Sequence, residues 1–234
     1  MSVYRIADLN IDIKCRYPYT DFVCREYLAE SGAEADFAVS ASEADMIKDK
    51  AVLPNASKPY LEFLSIYRHI ANTLLDYNGF ILHACVVEKG GVSYAFSAKS
   101  GTGKTTHSRL WLECFPDARI INGDKPLIRE FDGKFYVYGT PWCGKEMYQV
   151  NTRSPIKSIC FIERAFDNSI VKIPKNEAVS RIMPQLLMPK NADGADKLLR
   201  IIDKFIESVP AYLLRCNMDS SAALTAYNGM NGDA

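Results

Sequence analysis

Residues 98–106, Ala-Lys-Ser-Gly-Thr-Gly-Lys-Thr-Thr, constrain the fold of this chain more than any other stretch. Their Gly-x-Gly-Lys-Thr core is typical of a phosphate-binding loop, in which backbone N–H groups surround the phosphates of a nucleotide. Gly101 and Gly103 permit positive φ and, having no Cβ, allow an oxyanion to approach closely. Such a loop follows a strand and opens a helix, so the chain around it is expected to be α/β.

Each part of this loop has a predicted contact. Lys104 is expected to reach the β- and γ-phosphates, and the Thr105 hydroxyl to bind Mg²⁺. The helix that begins near Lys104 adds free N–H groups and the positive end of its dipole. Ala98 stands where the usual pattern has its first glycine, which weakens the match slightly. The predicted nucleotide-binding residues are Ser100, Gly101, Thr102, Gly103, Lys104, Thr105 and Thr106.

The flanking sequence favours this interpretation over an incidental glycine-rich turn. Residues 92–97 alternate between apolar and small or polar side chains, the period of a strand. After the loop, apolar residues recur at helical spacing from 107 to 114, before Phe115-Pro116 ends the run. The required order of strand, loop and helix is therefore present.

Composition limits the classes of partner. The 234 residues include 28 basic and 28 acidic ones, so nothing indicates a surface for nucleic acid. Seven scattered cysteines without a Cys-x-x-Cys pair suggest reduced thiols rather than a disulfide framework or a zinc site. No apolar run is long enough for a membrane span, and the start lacks the apolar core of a signal peptide. We therefore expect a cytoplasmic protein with neither nucleic acid nor a membrane as partner.

Residues 1–78 are predicted to form accessory strands and a helix packed on a core of residues 79–234. Residues 3–7 and 11–15 are expected to pair as a hairpin, with another strand at 36–40, as the edge of a sheet. The signal through 42–54 is weak. From 59 to 77 apolar residues lie every three or four positions, which predicts an amphipathic helix capped by Ser57 and ended by Gly79.

Within the core, strands 81–88 and 92–97 are expected to form one hairpin, and 127–131 and 134–138 another around the type I′ turn Asp132-Gly133. Residues 169–173 are expected to pair with a strand at 156–162. Helices are predicted at 177–187 and 195–208, then a strand at 212–216. Asp219 is a candidate cap for a last helix that reaches residue 227.

Besides Lys104 of the loop, two residues are candidate catalytic groups. Asp124 ends a short apolar strand at 118–124, and a metal-directed acid at such a strand end is what phosphoryl transfer needs, although Gly-Asp is also an ordinary turn. His83 lies in a strand that is apolar on both faces. It either bonds a backbone carbonyl in the core or lies in a site beside the loop that the paired strand carries.

Three more residues are candidates for metal or substrate contact. Lys145 follows a loop rich in special residues and is expected to contact phosphate or substrate, unless that loop is simply a rigid corner. The strand at 156–162 runs into Glu163 and Arg164. Glu163 could hold Mg²⁺ directly or through water, and Arg164 could neutralise the transferring phosphate; the alternative is an exposed ion pair.

Together these residues resemble a known family. The stretches that carry the resemblance are Leu82-His83-Ala84, residues 100–105, Arg109-Leu110-Trp111 and Gly123-Asp124-Lys125-Pro126. They look like the catalytic domain of HPr kinase/phosphorylase, which is similar to the nucleotide-binding part of phosphoenolpyruvate carboxykinases. The resemblance covers about residues 80–173, and the phosphate-binding loop is its most specific part. It implies an α/β fold with a mixed, strand-rich sheet around a phosphate-loop, nucleotide-binding core.

The resemblance also implies roles. In that family the strand histidine lies in the active site, and an Asp-Asp pair supplies a base and a metal ligand. Here Asp124 matches the second aspartate, and Gly123 stands in place of the first. Three alternatives follow: Asp124 is the base while Thr105 and Glu163 hold the metal, His83 takes the proton, or no serine hydroxyl is activated.

The resulting hypothesis is an ATP- and Mg²⁺-dependent kinase for a hydroxyl of the serine type on a small molecule, a peptide or a small protein. Positioning and charge neutralisation carry most of phosphoryl transfer, so a single aspartate is compatible with catalysis. The alternative is a regulatory module of the same fold that binds or hydrolyses ATP without an acceptor. A decarboxylating carboxykinase is disfavoured because its additional metal ligands have no counterpart. The oligomeric state stays open.

Overall fold

The computed structural model describes residues 2–232. The chain divides into two compact units, of which the first ends at Tyr77 and the second begins at Asn78. Within the described residues, no helix has the length and apolar sequence that crossing a bilayer requires.

The first unit contains its own sheet. Strands β1 (Ser2–Ile6) and β2 (Leu9–Lys14) form an antiparallel hairpin, and β3 (Phe37–Ser40) adds in parallel to β2. Ala7 and Asp8 make the tight turn with positive φ. The predicted hairpin and third strand are therefore confirmed. The expectation of a sheet edge is wrong, because among the described strands these three pair only with one another.

Three helices complete the first unit: α1 (Pro18–Cys24), α2 (Glu43–Val52) and α3 (Lys58–Thr73). The amphipathic helix capped by Ser57 is confirmed as α3. It passes into a 3₁₀ turn at Leu74–Tyr77 and ends at Asn78, whose φ is 54°, rather than at Gly79. Sequence periodicity gave no sign of α2, because Met46 is its one buried residue.

The second unit is built on a sheet of nine described strands. They are β4 (Gly79–Ile81), β5 (Ala84–Lys89), β6 (Val92–Ser97), β7 (Arg119–Asn122), β8 (Leu127–Phe131), β9 (Lys134–Tyr138), β10 (Arg153–Arg164), β11 (Ser169–Lys172) and β12 (Ala211–Cys216). Their order is β4-β8-β9-β10-β6-β5-β7, with β12 on the other side of β10 and β11 beyond it. The helices are α4 (Lys104–Cys114), α5 (Lys175–Ile182), α6 (Ala192–Ser208) and α7 (Ser221–Asn231).

Strand direction decides which chain segments meet. β10 pairs in parallel with both β6 and β12, while β5 is antiparallel to its two neighbours, β6 and β7. The carboxyl ends of β6, β7, β10 and β12 therefore lie at one edge of the sheet, where β5 begins. The predicted mixed, strand-rich α/β sheet is confirmed.

Three expectations for this unit are wrong. The strand at 81–88 is interrupted, because the N–H groups of Leu82 and His83 bond the carbonyls of Pro126 and Gln185 instead of a neighbouring strand. Strand β11 pairs with β12 and not with β10. Asp219 does not cap the last helix, which starts after Ser220 without a side-chain cap. The Asp132-Gly133 hairpin is confirmed, with φ of 49° and 72° at its turn.

Trp111 anchors α4 on the sheet. Its ring is fully buried and lies 4.9 Å from the Tyr94 ring and 5.3 Å from the Phe96 ring, centroid to centroid. Phe115 and Tyr227 pack on its other sides. Because α4 begins at the glycine loop, this aromatic cluster fixes the position of the loop.

Candidate functional site

The glycine loop joins the end of β6 at Ser97 to the start of α4 at Lys104. Gly101 and Gly103 have φ of 78° and 125°, which L side chains rarely adopt, so both positions require glycine. Gly103 also precedes the first turn of α4, which has no side-chain cap. The N–H groups of this first turn therefore remain available to an anion.

Arg164 holds the outside of the loop. Its guanidinium donates hydrogen bonds to the carbonyl oxygens of Gly101 and Thr102, the second at 2.9 Å. In a trans peptide the next N–H points away from the carbonyl, so the N–H group of Gly103 faces the opposite side, while that of Thr102 donates a 3.2 Å hydrogen bond to the Lys99 carbonyl within the loop. The contact thus fixes the Gly103 amide in an orientation suited to an anion.

Lys104 crosses the loop from the inside. Its Nζ donates a 3.0 Å hydrogen bond to the carbonyl oxygen of Ala98, and only 8% of the residue is exposed. Burial lowers the pKa of Lys104, and the nearby charge of Asp124 partly opposes that shift. The ammonium is thus held within the loop, close to the Asp124 carboxylate.

A cavity of about 410 Å³ brings most of the predicted site residues together. Its wall includes His83, Lys104, Thr105, Asp124 and Lys145. These residues come from the start of β5, the first turn of α4, the segment after β7 and the loop after β9. The common sheet edge explains why segments so far apart in sequence meet here.

Asp124 is bonded on both sides. Its Oδ1 lies 3.3 Å from Nε2 of His83, and its Oδ2 lies 2.8 Å from Nζ of Lys125. Burial alone would raise the pKa of Asp124, but the hydrogen bonds from His83 and Lys125 outweigh it and hold the pKa well below its usual range. On its far side, Nδ1 of His83 lies 3.0 Å from the side-chain amide oxygen of Gln185.

Asn122 and Thr140 orient the Asp124 segment. The fully buried Asn122 accepts hydrogen bonds from the N–H groups of Asp124 and Lys125, at 2.9 and 2.8 Å. Its amide nitrogen donates to the carbonyl and hydroxyl oxygens of Thr140. The Thr140 hydroxyl in turn donates to the Lys125 carbonyl. These hydrogen bonds together hold the turn at residues 122–125 in the conformation that places Asp124 in the cavity.

Gly123 stands where packing excludes a side chain. A Cβ there would lie 2.8 Å from the carbonyl oxygen of Cys143 and 3.3 Å from Cβ of Tyr148. The loop after β9 passes directly over this position. A second carboxylate beside Asp124 would therefore displace backbone, which explains why this chain has a single aspartate at the turn.

Glu163 and Arg164 do not join the cavity that Asp124 lines. Glu163 lies in a neighbouring cavity of about 650 Å³, and its carboxylate pairs with Arg181 at 2.8 Å and with Arg215 at 3.4 Å. Hydrogen bonding to Arg181 lowers the pKa of Glu163. The structure thus brings Thr105 and Asp124 together and places the third predicted metal ligand among arginines. Within residues 2–232, no group of three or more His, Cys, Asp or Glu side chains is arranged to hold a metal.

Two residues of the site, Asn122 and Gln185, were not predicted from the sequence. The Asn-Gly-Asp spacing of residues 122–124 is typical of a side-chain turn and could have identified Asn122. Gln185 ends a 3₁₀ turn after α5, and no local pattern marks it.

Comparison with known proteins finds similarity in the fold of solved structures and none in sequence. The HPr(Ser) kinase/phosphatase from Coxiella burnetii aligns with 65% of this chain and 99% of its own, at 8% identity and a TM-score of 0.38. No protein-family model matches the sequence, and no curated protein does either.

Proposed function

We propose that this chain binds Mg-ATP and transfers its γ-phosphoryl group to a hydroxyl of the serine type on a small molecule, a peptide or a small protein. One observation carries the proposal: Lys104 and Thr105 of the glycine loop share a cavity with the His83–Asp124 pair. A phosphate-binding loop and an ionised carboxylate facing each other are the parts that phosphoryl transfer requires.

The loop binds the polyphosphate. The N–H groups of residues 100–106, apart from that of Thr102, which bonds the Lys99 carbonyl, surround the β-phosphate, and Lys104 neutralises charge on the β- and γ-phosphates. Arg164 keeps the loop in shape through its carbonyl oxygens, so it acts as a positioning residue. Lys145 lines the same cavity from the opposite loop and steadies the transferring group.

Thr105 and Asp124 have the donor chemistry for Mg²⁺. Both line one cavity, both offer oxygen, and the low pKa of Asp124 keeps its carboxylate ionised. Mg²⁺ is usually held by one or two protein oxygens together with substrate phosphates and water, so two donors are sufficient. When bound, the ion neutralises charge that develops on the phosphates. Glu163 is outside this set because its two arginines occupy its carboxylate.

Phosphoryl transfer needs an acceptor for the proton of the attacking hydroxyl, and this cavity contains one. The acceptor oxygen forms a bond to the γ-phosphorus while the bond to the ADP oxygen breaks, and ADP leaves with the electron pair. The acceptor proton passes to His83, since the low pKa of Asp124 makes that carboxylate a weak base. Asp124 accepts from Nε2–H of His83 and stabilises the imidazolium that forms, so the proton enters at Nδ1. In the neutral ring Nδ1 carries no hydrogen, and Gln185 turns its amide NH₂ toward it until the acceptor hydroxyl takes that place.

A second candidate function is a regulatory module that binds or hydrolyses ATP without an acceptor. One observation favours it: packing around Gly123 leaves no room for the second carboxylate. A module of this kind would use the same loop and the same metal ligands, but it would need no proton acceptor for a hydroxyl.

Incubation with γ-labelled ATP, Mg²⁺, and panels of hydroxyl compounds, serine-containing peptides and small proteins separates the two candidates. The kinase proposal predicts labelled acceptor whose formation is lost in Lys104→Ala and reduced about 10²–10⁴-fold in His83→Ala. Release of inorganic phosphate alone, unaffected by His83→Ala, would support the regulatory module. Failure to bind Mg-ATP at all would refute both.

A further inference from the structure

His107 contains a buried hydrogen-bonding atom without a partner. The residue is 2% exposed, in the first turns of α4, and its ring packs edge-on against Phe96 at 4.6 Å. Among residues 2–232, no atom is placed to form a hydrogen bond with its Nδ1. Leaving a buried polar group unpaired costs on the order of 1–3 kcal/mol, so an unpaired donor on a residue that lines a cavity is a candidate ligand contact.

The contact at the other nitrogen determines what Nδ1 can bind. Nε1 of Trp111 lies 3.1 Å from Nε2 of His107, and an indole N–H can only donate. Nε2 is therefore the acceptor, and the hydrogen of the neutral ring is on Nδ1. The unpaired atom is thus an N–H donor, and it requires an acceptor on its ligand.

His107 lines a cavity of about 380 Å³ beside the glycine loop. Ile162, Cys216 and Met218 give the wall an apolar character, and the cavity is adjacent to the phosphate cavity, since Gly103 and Thr106 border both. None of the residues that line it carries a carboxylate. Arg164, its single basic residue, has its guanidinium on the loop carbonyls.

This cavity and Asp124 lie on opposite sides of strand β6, which carries the glycine loop. Asp124 follows β7, which lies beyond β5 on one side of β6, whereas Ile162 and Cys216 lie at the ends of β10 and β12 on the other side. A nucleotide whose β-phosphate rests on the loop and whose γ-phosphate faces Asp124 extends its nucleoside toward β10 and β12. The cavity therefore lies on the side of the loop toward which the nucleoside extends, as does the 650 Å³ cavity that Glu163 lines; of the two, this one combines apolar walls with the unpaired His107 donor.

We propose that this cavity receives a purine base, and that Nδ1–H of His107 donates a hydrogen bond to an acceptor atom on that base. The inference rests on the proposed nucleotide-binding function and adds the recognition of its base. A flat, uncharged ring suits walls made of Ile162, Cys216 and Met218. Purines carry ring nitrogens that accept hydrogen bonds. Nδ1 is itself buried beside the cavity, so the base reaches it once the adjoining wall side chains move aside, and the donor then gains the partner that the protein does not supply.

Two substitutions of His107 separate its two nitrogens. Gln places its amide near Nε2 and preserves the acceptor for Trp111, but it removes the donor at Nδ1. Asn places an N–H near Nδ1 and leaves Trp111 unpaired. We expect His107→Gln to weaken Mg-ATP binding about tenfold, since that is the loss from one hydrogen bond of a buried donor, while His107→Asn stays close to the parent.

Inorganic tripolyphosphate with Mg²⁺ serves as the reference ligand because it has phosphates and no base. Calorimetric titration of the full chain should give tripolyphosphate affinities within about twofold for the parent and both variants. The ratio of ATP to tripolyphosphate affinity then isolates the base. Met218→Ala at the cavity wall should lower this ratio about threefold by removing apolar contact, whereas Met188→Ala should leave it unchanged. Both methionines are exposed, so neither change threatens folding.

The outcomes distinguish this inference from the proposed function. If the ratio is the same in the parent, His107→Gln and Met218→Ala while tripolyphosphate binds normally, the cavity does not hold the base, and phosphate binding at the loop still stands. If the parent binds neither ligand, the proposed function fails and the inference fails with it.

Discussion

Nε2 of His83 lies 3.3 Å from Oδ1 of Asp124, although the two residues belong to segments that flank different strands of the sheet. The interruption between β4 and β5 turns His83 out of the strand register, and the bonds of Asn122 direct Asp124 toward it. The pair lies opposite the first turn of α4, where Lys104 and Thr105 complete the cavity.

Replacing Asp124 by Asn should remove the carboxylate that we assign to Mg²⁺. We expect the Mg²⁺ concentration for half-maximal ATP binding to rise about tenfold or more, in line with the effect of weakened metal ligation in other sites. Titration of Mg²⁺ at fixed ATP measures this. Asp193→Asn is the matched control, since Asp193 is exposed and pairs with Lys197 on α6. An unchanged Mg²⁺ requirement in Asp124→Asn would show that the metal, if bound, uses other ligands.

A methyl group at Gly123 should collide with the carbonyl of Cys143, so Gly123→Ala is expected to lower the free energy of unfolding by about 1–3 kcal/mol. Gly123→Asp should be at least as destabilising and should not raise phosphoryl transfer. Gly91→Ala provides the comparison, because its Cβ meets open space and only its positive φ is strained. Chemical denaturation measures all three variants. Full stability together with increased activity in Gly123→Asp would contradict this explanation of the single aspartate.

Asn122→Ala should leave the buried N–H groups of Asp124 and Lys125 without an acceptor. We expect a loss of about 1–3 kcal/mol in unfolding free energy, together with weaker ATP binding because Asp124 is no longer oriented. Asn122→Asp keeps the acceptor for these N–H groups but places a buried carboxylate against the Thr140 carbonyl oxygen, so it should be at least as destabilising. If both variants match the parent in denaturation and in ATP titration, Asn122 does not position the site.

In the first unit, Ser42 and Asp45 form a reciprocal cap at the start of α2: each side chain bonds the backbone N–H of the other. Ser42→Ala should cost about 1 kcal/mol of unfolding free energy.

The side-chain hydrogen bond of Ser42 lowers the pKa of Asp45 to about 2. Because the unfolded value is about 3.9, the stabilisation is complete above that pH and is lost as the pH falls toward 2.

Denaturation of the parent and Asp45→Asn between pH 6 and pH 2 measures this effect. The parent should be the more stable at pH 6, and the difference should shrink steadily as the pH falls below about 4. A difference that stays constant over the whole range would show that the ionised carboxylate does not stabilise the cap.

Local sequence patterns account for much of the fold. The Asp132-Gly133 turn, the helix after Ser57 and the strand, loop and helix around residues 98–106 are each specified within a few neighbouring residues, and all three were predictable. The helix α2 was missed because its one buried residue, Met46, leaves no apolar periodicity to detect.

Long-range contacts were not predictable from sequence. The interruption at His83 depends on backbone bonds to Pro126 and Gln185, which lie far along the chain. The pairing of Glu163 with Arg181 and Arg215 likewise depends on a later helix and strand. The candidate site therefore follows from sequence at the loop itself, while the partners that orient it require the tertiary structure.

The central claim is that the glycine loop binds the phosphates of a nucleotide through its amides and Lys104, and calorimetric titration of Mg-ATP into Lys104→Ala tests it most directly. Lys134→Ala, an exposed lysine at the start of β9, is the matched control. The account predicts tight binding by the parent and by Lys134→Ala, with at least a tenfold loss in Lys104→Ala, since a charge-assisted contact to phosphate is worth about 1.5–3 kcal/mol. Equal affinity in all three proteins would contradict it.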